Sequence, residues 1–255
     1  MRLSDLLMRY LHYVDRYVAD KNQRAMLDCL EADSQALLLD CGCHAGANAR
    51  KRAEAKGLRA VTGIELNATV AREAVARGLW VLQADLNRPI PLAGGCVDAV
   101  MVSDVLEHLA ETGRFVAEVY RVLKPGGYAV VSTPNLASWH NIAALLLGLQ
   151  PFSGPHLTHY SQTDVGVVRR LRQQTCDSLA EQGWAEVEGE ATMYRHIVVA
   201  AYRSLRRLFV AQGFAVERAV AVGYYPLPPV LERLMTRLDP WHASHVVLKV
   251  RKGHG

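Results

Sequence analysis

Five short apolar runs, at residues 36–39, 60–64, 80–83, 99–102 and 128–132, alternate with charged segments of helical length, and this alternation narrows the chain to one class of architecture. Runs so short, rich in Val and Leu and without regular polar alternation, suit strands buried on both faces. The segments between them at 47–56, 68–77 and 112–123 have the length of crossover helices, which return each strand parallel to the one before. The spacing predicts an α/β fold with a doubly wound, mostly parallel sheet and helices on both faces. Lys124-Pro125-Gly126-Gly127 predicts a helix stop and a tight reversal into the next strand, because proline cannot continue a helix and glycine accepts positive φ.

Outside this core the texture changes. Leu3, Leu6, Leu7, Tyr10, Leu11, Val14, Tyr17 and Val18 recur at three- and four-residue intervals, predicting an amphipathic flanking helix, with a second helix over 22–31. Beyond residue 134 the alternation lapses into a helix over 136–149, a Pro/Gly-punctuated loop at 151–155 and a helix over 165–182, which predicts an inserted helical cap. The core resumes with a helix at 198–212, a strand at 214–222, a proline-rich excursion and a strand at 245–250. The expected organisation is a flank (1–33), a core (34–134), an acceptor-binding cap (135–196) and the C-terminal part of the core sheet (197–255).

Composition excludes several classes. Half the residues are hydrophobic and 21% are charged, unlike a disordered chain. The longest purely apolar run, 142–147, is far short of the ~20 residues of a spanning helix. Asp5 interrupts the N-terminal leucines and no cleavage site follows, so no signal peptide is expected. Cys29, Cys41, Cys43, Cys96 and Cys176 are odd in number and lack a repeated metal-ligand spacing, which predicts reduced thiols in a cytoplasmic protein. The net charge of +4 is scattered, which disfavours a nucleic-acid partner. Two local clusters, Arg169-Arg170 with Arg172 and Arg203 with Arg206-Arg207, suit either solvated helix faces or contact with phosphate or an anionic membrane surface.

The chemistry-bearing residues fall on successive strand ends. Asp40-Cys41-Gly42-x-x-x-Gly46 follows the first strand, Glu65 closes the second, Asp85 the third, and Ser103-Asp104 the fourth. In a doubly wound sheet ligands bind beyond the carboxyl ends of the strands, so these residues are expected in one crevice. Gly42 and Gly46 let the backbone approach a ligand closely. Glu65 suits two ribose hydroxyls, and Asp85 with Leu86 suits an exocyclic amine beside an apolar ring edge. A dinucleotide fingerprint needs G-x-G-x-x-G; this loop reads G-x-x-x-G behind an acid and better suits a cation.

The segments LLLDCGCHAGANA, TGIELN, QADLNRPIPL, VDAVMVSDVLEHL and EVYRVLKPGGYAVVSTPN resemble the successive motifs of class I S-adenosylmethionine-dependent methyltransferases. The resemblance is close over 37–135 and returns at SLRRLFVAQGF. It implies a seven-stranded sheet with the last strand antiparallel and S-adenosylmethionine as cofactor. It also implies Asp40, Gly42 and Gly46 around the methionine portion, with Cys43 and His44 in the same loop. Glu65 with Leu66 would then meet the ribose, Asp85 with Leu86 the adenine, and Ser103 and Asp104 the sulfonium end. His44 departs from the family, whose loops place a glycine there. Histidine tolerates left-handed backbone angles, so a distorted rather than an abolished site is expected.

Asp104, Glu107 and His108 stand at i, i+3 and i+4 and would share one face of a helix. His108 and Asp104 are the candidate catalytic residues, His108 as general base. A divalent metal on these three side chains is the less favoured alternative to Glu107 and His108 bracing the helix, and no metal ligand is assigned. Asn135, His140, His159 and Tyr160 are candidate acceptor contacts, with His156 and His196 nearby in the chain. Trp139 and residues 145–147 would line an apolar pocket or pack in a core. The combined reading is methyl transfer to a small or medium-sized acceptor, most simply an oxygen of a glycan or natural product. The alternatives are a cofactor-binding, non-catalytic subunit, with a dimer through the N-terminal helix as one form, and a nucleic-acid methyltransferase.

Overall fold

The computed structural model describes residues 3–155 and 196–254. Its elements are α1 (Leu3–Cys29), β1 (Leu37–Cys41), α2 (Ala47–Lys56), β2 (Ala60–Glu65), α3 (Ala68–Ala76), β3 (Trp80–Gln83), β4 (Val97–Ser103), α4 (Thr112–Val122), β5 (Leu123–Pro134), α5 (Trp139–Leu146), α6 (Tyr202–Ala211), β6 (Phe214–Val222), α7 (Pro229–Leu238) and β7 (His245–Lys252). The strands form one seven-stranded sheet in the order β3-β2-β1-β4-β5-β7-β6. Six run parallel, and β7 is antiparallel to both its neighbours, as expected.

Two-residue periodicity divides the sheet's side chains between its faces. Ala99, Met101 and Val130 meet Val14, Val18 and Met26 of α1 on one face. Val100, Val102 and Val131 meet Phe115, Val116 and Val119 of α4 and Leu205 and Phe209 of α6 on the other. Phe115 and Phe209 are each 1% exposed, and burial of such a ring contributes about 2–3 kcal/mol. α2 and α3 pack through Ala49 and Ala74 against the loop after β1.

Several expectations are corrected. The two predicted N-terminal helices are one continuous helix, because nothing in Ala19-Asp20-Lys21 breaks it. Lys124–Gly127 is not a turn outside the sheet but an irregularity inside β5: Leu123 pairs with Val97, and pairing resumes at Tyr128 with Ala99. A Cβ on Gly127 would lie 2.9 Å from the Asp98 carbonyl, so only glycine lets the strand pass there. The helix expected from residue 198 starts at Tyr202. The proline-rich excursion contains α7, which begins on Pro229, where a missing N–H costs nothing. The predicted helix 165–182, with Arg169, Arg170, Arg172 and Cys176, lies outside the described residues. Of the expected cap, α5 and the segment to Pro155 are described.

A buried carboxylate joins α7 to α1. Glu232, 1% exposed, accepts from Lys21 Nζ at 2.5 Å, from the Gly223 N–H at 3.1 Å and from the Tyr17 hydroxyl at 3.3 Å. Glu232→Ala leaves the amide and the ammonium without their acceptor and should cost about 2–3 kcal/mol in urea unfolding. A Glu232→Gln variant, which keeps an acceptor for the amide, should recover part of that loss.

Candidate active site

The helix after β1 packs beside α1, and the helix after β4 crosses to the opposite face, so the sheet opens between the carboxyl ends of these two strands. A cleft of about 900 Å³ occupies the opening. All the sequence-predicted cofactor residues line it: Asp40, Gly42, Cys43, His44 and Gly46 from the first loop, Glu65 and Leu66, Asp85 and Leu86, and Ser103 and Asp104. His108 lines it as well.

Hydrogen bonds to β2 shape the first loop. The Gly42 and Cys43 N–H groups both donate to the Ile64 carbonyl, at 2.8 and 3.0 Å. Gly42, His44 and Gly46 have φ of 72°, 49° and 79°. A Cβ on Gly42 would sit 2.5 Å from Val105 Cγ2. Glu65 accepts the His44 N–H on Oε2 at 3.0 Å and the Asn67 N–H on Oε1 at 2.9 Å, which fixes its carboxylate and leaves each oxygen a second lone pair. Burial pushes the His44 imidazole down to about 4, so it is neutral at neutral pH. At the third strand end, Asp85 accepts from the Asn87 N–H at 2.8 Å, beside the buried Leu86.

The floor of the cleft is a polar network centred on a buried arginine. Arg52 of α2 is 5% exposed, and its guanidinium reaches Gln23 Oε1 at 2.5 Å, Ser103 Oγ at 3.4 Å and Asp40 Oδ2 at 3.5 Å. Burial pushes Asp40 up to about 6, against the opposing pull of Arg52, with Glu65 adding to the rise. Asn22 Nδ2 donates to Ser132 Oγ at 2.7 Å, and Ser132 Oγ lies 3.0 Å from Asp104 Oδ1. The Asp104 N–H donates to the Ser132 carbonyl at 3.0 Å.

This arrangement corrects the predicted helical face of Asp104, Glu107 and His108. Asp104 has φ of 53°, and residues Leu106–His108 form a single 3₁₀ turn, so no α-helical face carries the three side chains. Asp104 turns to the floor. Glu107, 1% exposed, accepts from Thr133 Oγ1 at 3.0 Å, and burial with the nearby Asp104 pushes its pKa well above the ordinary carboxylate range. His108 stays at the cleft, its ring edge-to-face with His196 at 4.9 Å, and His196 Nδ1 lies 2.6 Å from the Ser153 carbonyl. Ligand atoms of Glu107, His108 and His196 fall within 4.8 Å of one another.

Two predicted acceptor contacts are placed elsewhere. Asn135 is fully buried; its Nδ2 donates to the Trp241 and Ala243 carbonyls, both at 2.8 Å, and its Oδ1 accepts the Tyr202 N–H at 3.0 Å, so it pins β5 to the start of α6. His140, pushed by burial down to about 4, packs against Phe152 and Tyr225 and does not line the cleft. His156, His159 and Tyr160 lie outside the described residues. Leu145, Leu146 and Leu147 are exposed rather than lining a pocket.

Sequence reasoning missed Asn22, Gln23 and Arg52. Asn22 left a signal, since it occupies the core-facing register of α1, four residues from both Val18 and Met26. Arg52 left none, being one of three consecutive basic residues on a helix without an apolar face.

Residues 39–131, spanning β1 into β5, match the methyltransferase domain family. The chain carries a class I methyltransferase domain. It is 36% identical over 99 residues to a protein of Mycolicibacterium smegmatis named as a probable S-adenosylmethionine-dependent methyltransferase, with 38% of each chain covered. It is 32% identical over 102 residues to the ubiquinone biosynthesis O-methyltransferase of Caulobacter vibrioides, covering 38% of this chain and 40% of that one. The matched region thus spans about two fifths of these curated relatives. The methyltransferase domain's fold resembles that of an S-adenosylmethionine-dependent methyltransferase from Mesorhizobium loti with a TM-score of 0.58 at 17% identity, covering 90% of this chain and 96% of that one.

Arg52→Met removes the cation that opposes desolvation of Asp40, so the variant's Asp40 should hold its proton to higher pH than the wild type's. Asp40's folded pKa lies above its unfolded value, so its ionisation lowers stability as pH rises through about 4 to 6 in the wild type, and through a higher window in the variant. Urea unfolding should show a loss of about 3 kcal/mol at pH 8 that shrinks toward pH 5.

Proposed function

We propose that the methyltransferase domain binds S-adenosylmethionine in the cleft and methylates an oxygen of a small or medium-sized acceptor of glycan or natural-product type. The observation that carries this reading is the ordered set of acids and glycines on four successive strand ends lining one cleft of about 900 Å³. That volume lies in the range of pockets that enclose drug-sized ligands. The donor set also fits: Asp40, Glu65, Asp85 and Asp104 offer acceptors for hydroxyls and amines, and an acidic environment suits a sulfonium.

S-adenosylmethionine, when bound, supplies a methyl group already activated on sulfur. Glu65, held by two backbone N–H groups, accepts the ribose hydroxyls, with Leu66 beside it. Asp85 and Leu86 receive the adenine. Gly42 and Gly46, with Cys43 and His44 between them, give backbone access to the methionine portion, and Ser103 and Asp104 stand at its reacting end. For in-line displacement, positioning in a water-poor pocket supplies most of the acceleration. His108 takes the proton of an acceptor hydroxyl, and residues 135–196 form the acceptor side. The name of the Caulobacter relative supports oxygen as the methylated atom. A cofactor-binding subunit without catalysis is the second reading, favoured by His44 in a family glycine position. The core-facing stripe of α1 is already packed on the sheet, leaving Leu6, Leu7 and Tyr13 outward for such a pairing.

Isothermal titration with S-adenosylmethionine and S-adenosylhomocysteine tests the proposal. Glu65→Ala should weaken both by roughly 100-fold, the loss of two charge-assisted hydrogen bonds. No binding of either by the wild type at millimolar concentration would sink the enzyme reading. His44→Gly should preserve or tighten binding, and marked loss would make His44 a contact. His108→Gln should lower kcat by about 100-fold at unchanged cofactor affinity if His108 is the base; binding without turnover on a broad acceptor panel would favour the subunit.

A further inference from the structure

The excursion between β6 and β7 wears its polarity inside out. In α7 the inward side chain is Glu232, while Val230, Leu231, Leu234 and Leu238 are 78%, 48%, 53% and 68% exposed. Positions 230, 231, 234 and 238 form one stripe on a helix, and the exposed Arg233 and Arg237 flank it. Trp241, 43% exposed in the following 3₁₀ turn, lies under the Arg203 guanidinium at 4.9 Å from its ring centre.

The charge on this face is uncompensated among the described residues. Residues 223–244, with Arg203 above Trp241, hold three exposed arginines and only two acids, Glu232 and Asp239. Both acids are engaged internally. Glu232 holds Lys21, and Asp239 accepts from Trp139 Nε1 at 2.9 Å and Tyr224 Oη at 2.6 Å, with His242 Nδ1 at 2.7 Å.

We propose that this face docks on an anionic lipid bilayer, with α7 in the plane of the headgroups, its apolar stripe among the acyl chains and its arginines at the phosphates. A short apolar stripe bordered by arginines and tryptophan is what an interfacial helix requires, since arginine lays an apolar stem along the stripe and lifts its charge to the headgroups. A second copy of the chain would set three arginines against three. No described helix is long and apolar enough to cross a membrane, and interfacial docking needs none. Residues 223–244 leave the carboxyl end of β6, so the docked face projects from the same sheet edge as the cleft and directs that edge toward the lipid.

Co-sedimentation with vesicles of phosphatidylcholine, alone and mixed with phosphatidylglycerol, tests this independently of cofactor binding. The wild type should bind the mixed vesicles at least roughly tenfold more tightly, and less so as salt rises. Leu234→Asp/Leu238→Asp should lower that binding by about tenfold or more at an unchanged thermal midpoint, both positions being exposed, and Arg203→Gln/Arg237→Gln should weaken it selectively for the anionic mixture. Equal, weak partitioning into both vesicles, or full binding by the leucine double variant, would overturn the proposal. So would a concentration-dependent dimer in sedimentation velocity that the leucine variant abolishes while vesicles capture neither protein.

Discussion

Burying a guanidinium costs several kcal/mol unless its N–H groups find acceptors, and the cleft depends on how that cost is met for Arg52. Its partners come from α1 (Gln23), β1 (Asp40) and β4 (Ser103), so a single side chain draws three elements together at the point where the sheet opens. The neighbouring network from Asn22 through Ser132 to Asp104 holds Asp104 in a left-handed backbone conformation that a non-glycine residue adopts only when its surroundings insist. The acids that line the cleft are therefore positioned from below before any ligand arrives.

The polar floor is the continuation of an apolar face. Leu38, Met101 and Val130 point toward α1, and two residues further along each strand, on the same side, stand Asp40, Ser103 and Ser132. Ser103 and Ser132 are direct neighbours in the parallel register. A slip of one residue in either strand would send the hydroxyls to the α4 face and the valines to α1, so the pairing that builds the core also composes the site. α1 follows the same rule, apolar at Val14 and Val18, polar at Asn22, and apolar again at Met26.

What was legible in the sequence follows from the range of the interactions involved. The sheet and its four strand ends were readable because strand burial and crossover length are local properties. The cleft residues were readable because topology alone brings strand ends together. Asn135 was misread because its chemistry suits a ligand as well as a structural pin, and the partners that decide between them lie 67, 106 and 108 residues away. Asp104, Glu107 and His108 were misread because helical spacing was assumed where the backbone is left-handed at the first and makes a 3₁₀ turn through the others. α7 was hidden by its prolines, which end helices from within but begin them from the first turn.

The stretch recognisable as a methyltransferase domain ends at residue 131, one position before Ser132, and begins after α1. Its last strand, β5, is fully paired in the protein only because β7 runs alongside it from Tyr128 to Pro134. A fragment excised at the limits of the recognisable stretch would present a bare, strongly apolar strand edge at what is now the middle of the sheet, the kind of edge that recruits other chains. It would also strand Arg52 without Gln23. The unit that sequence similarity picks out and the unit that can stand alone in water are different pieces of this polypeptide.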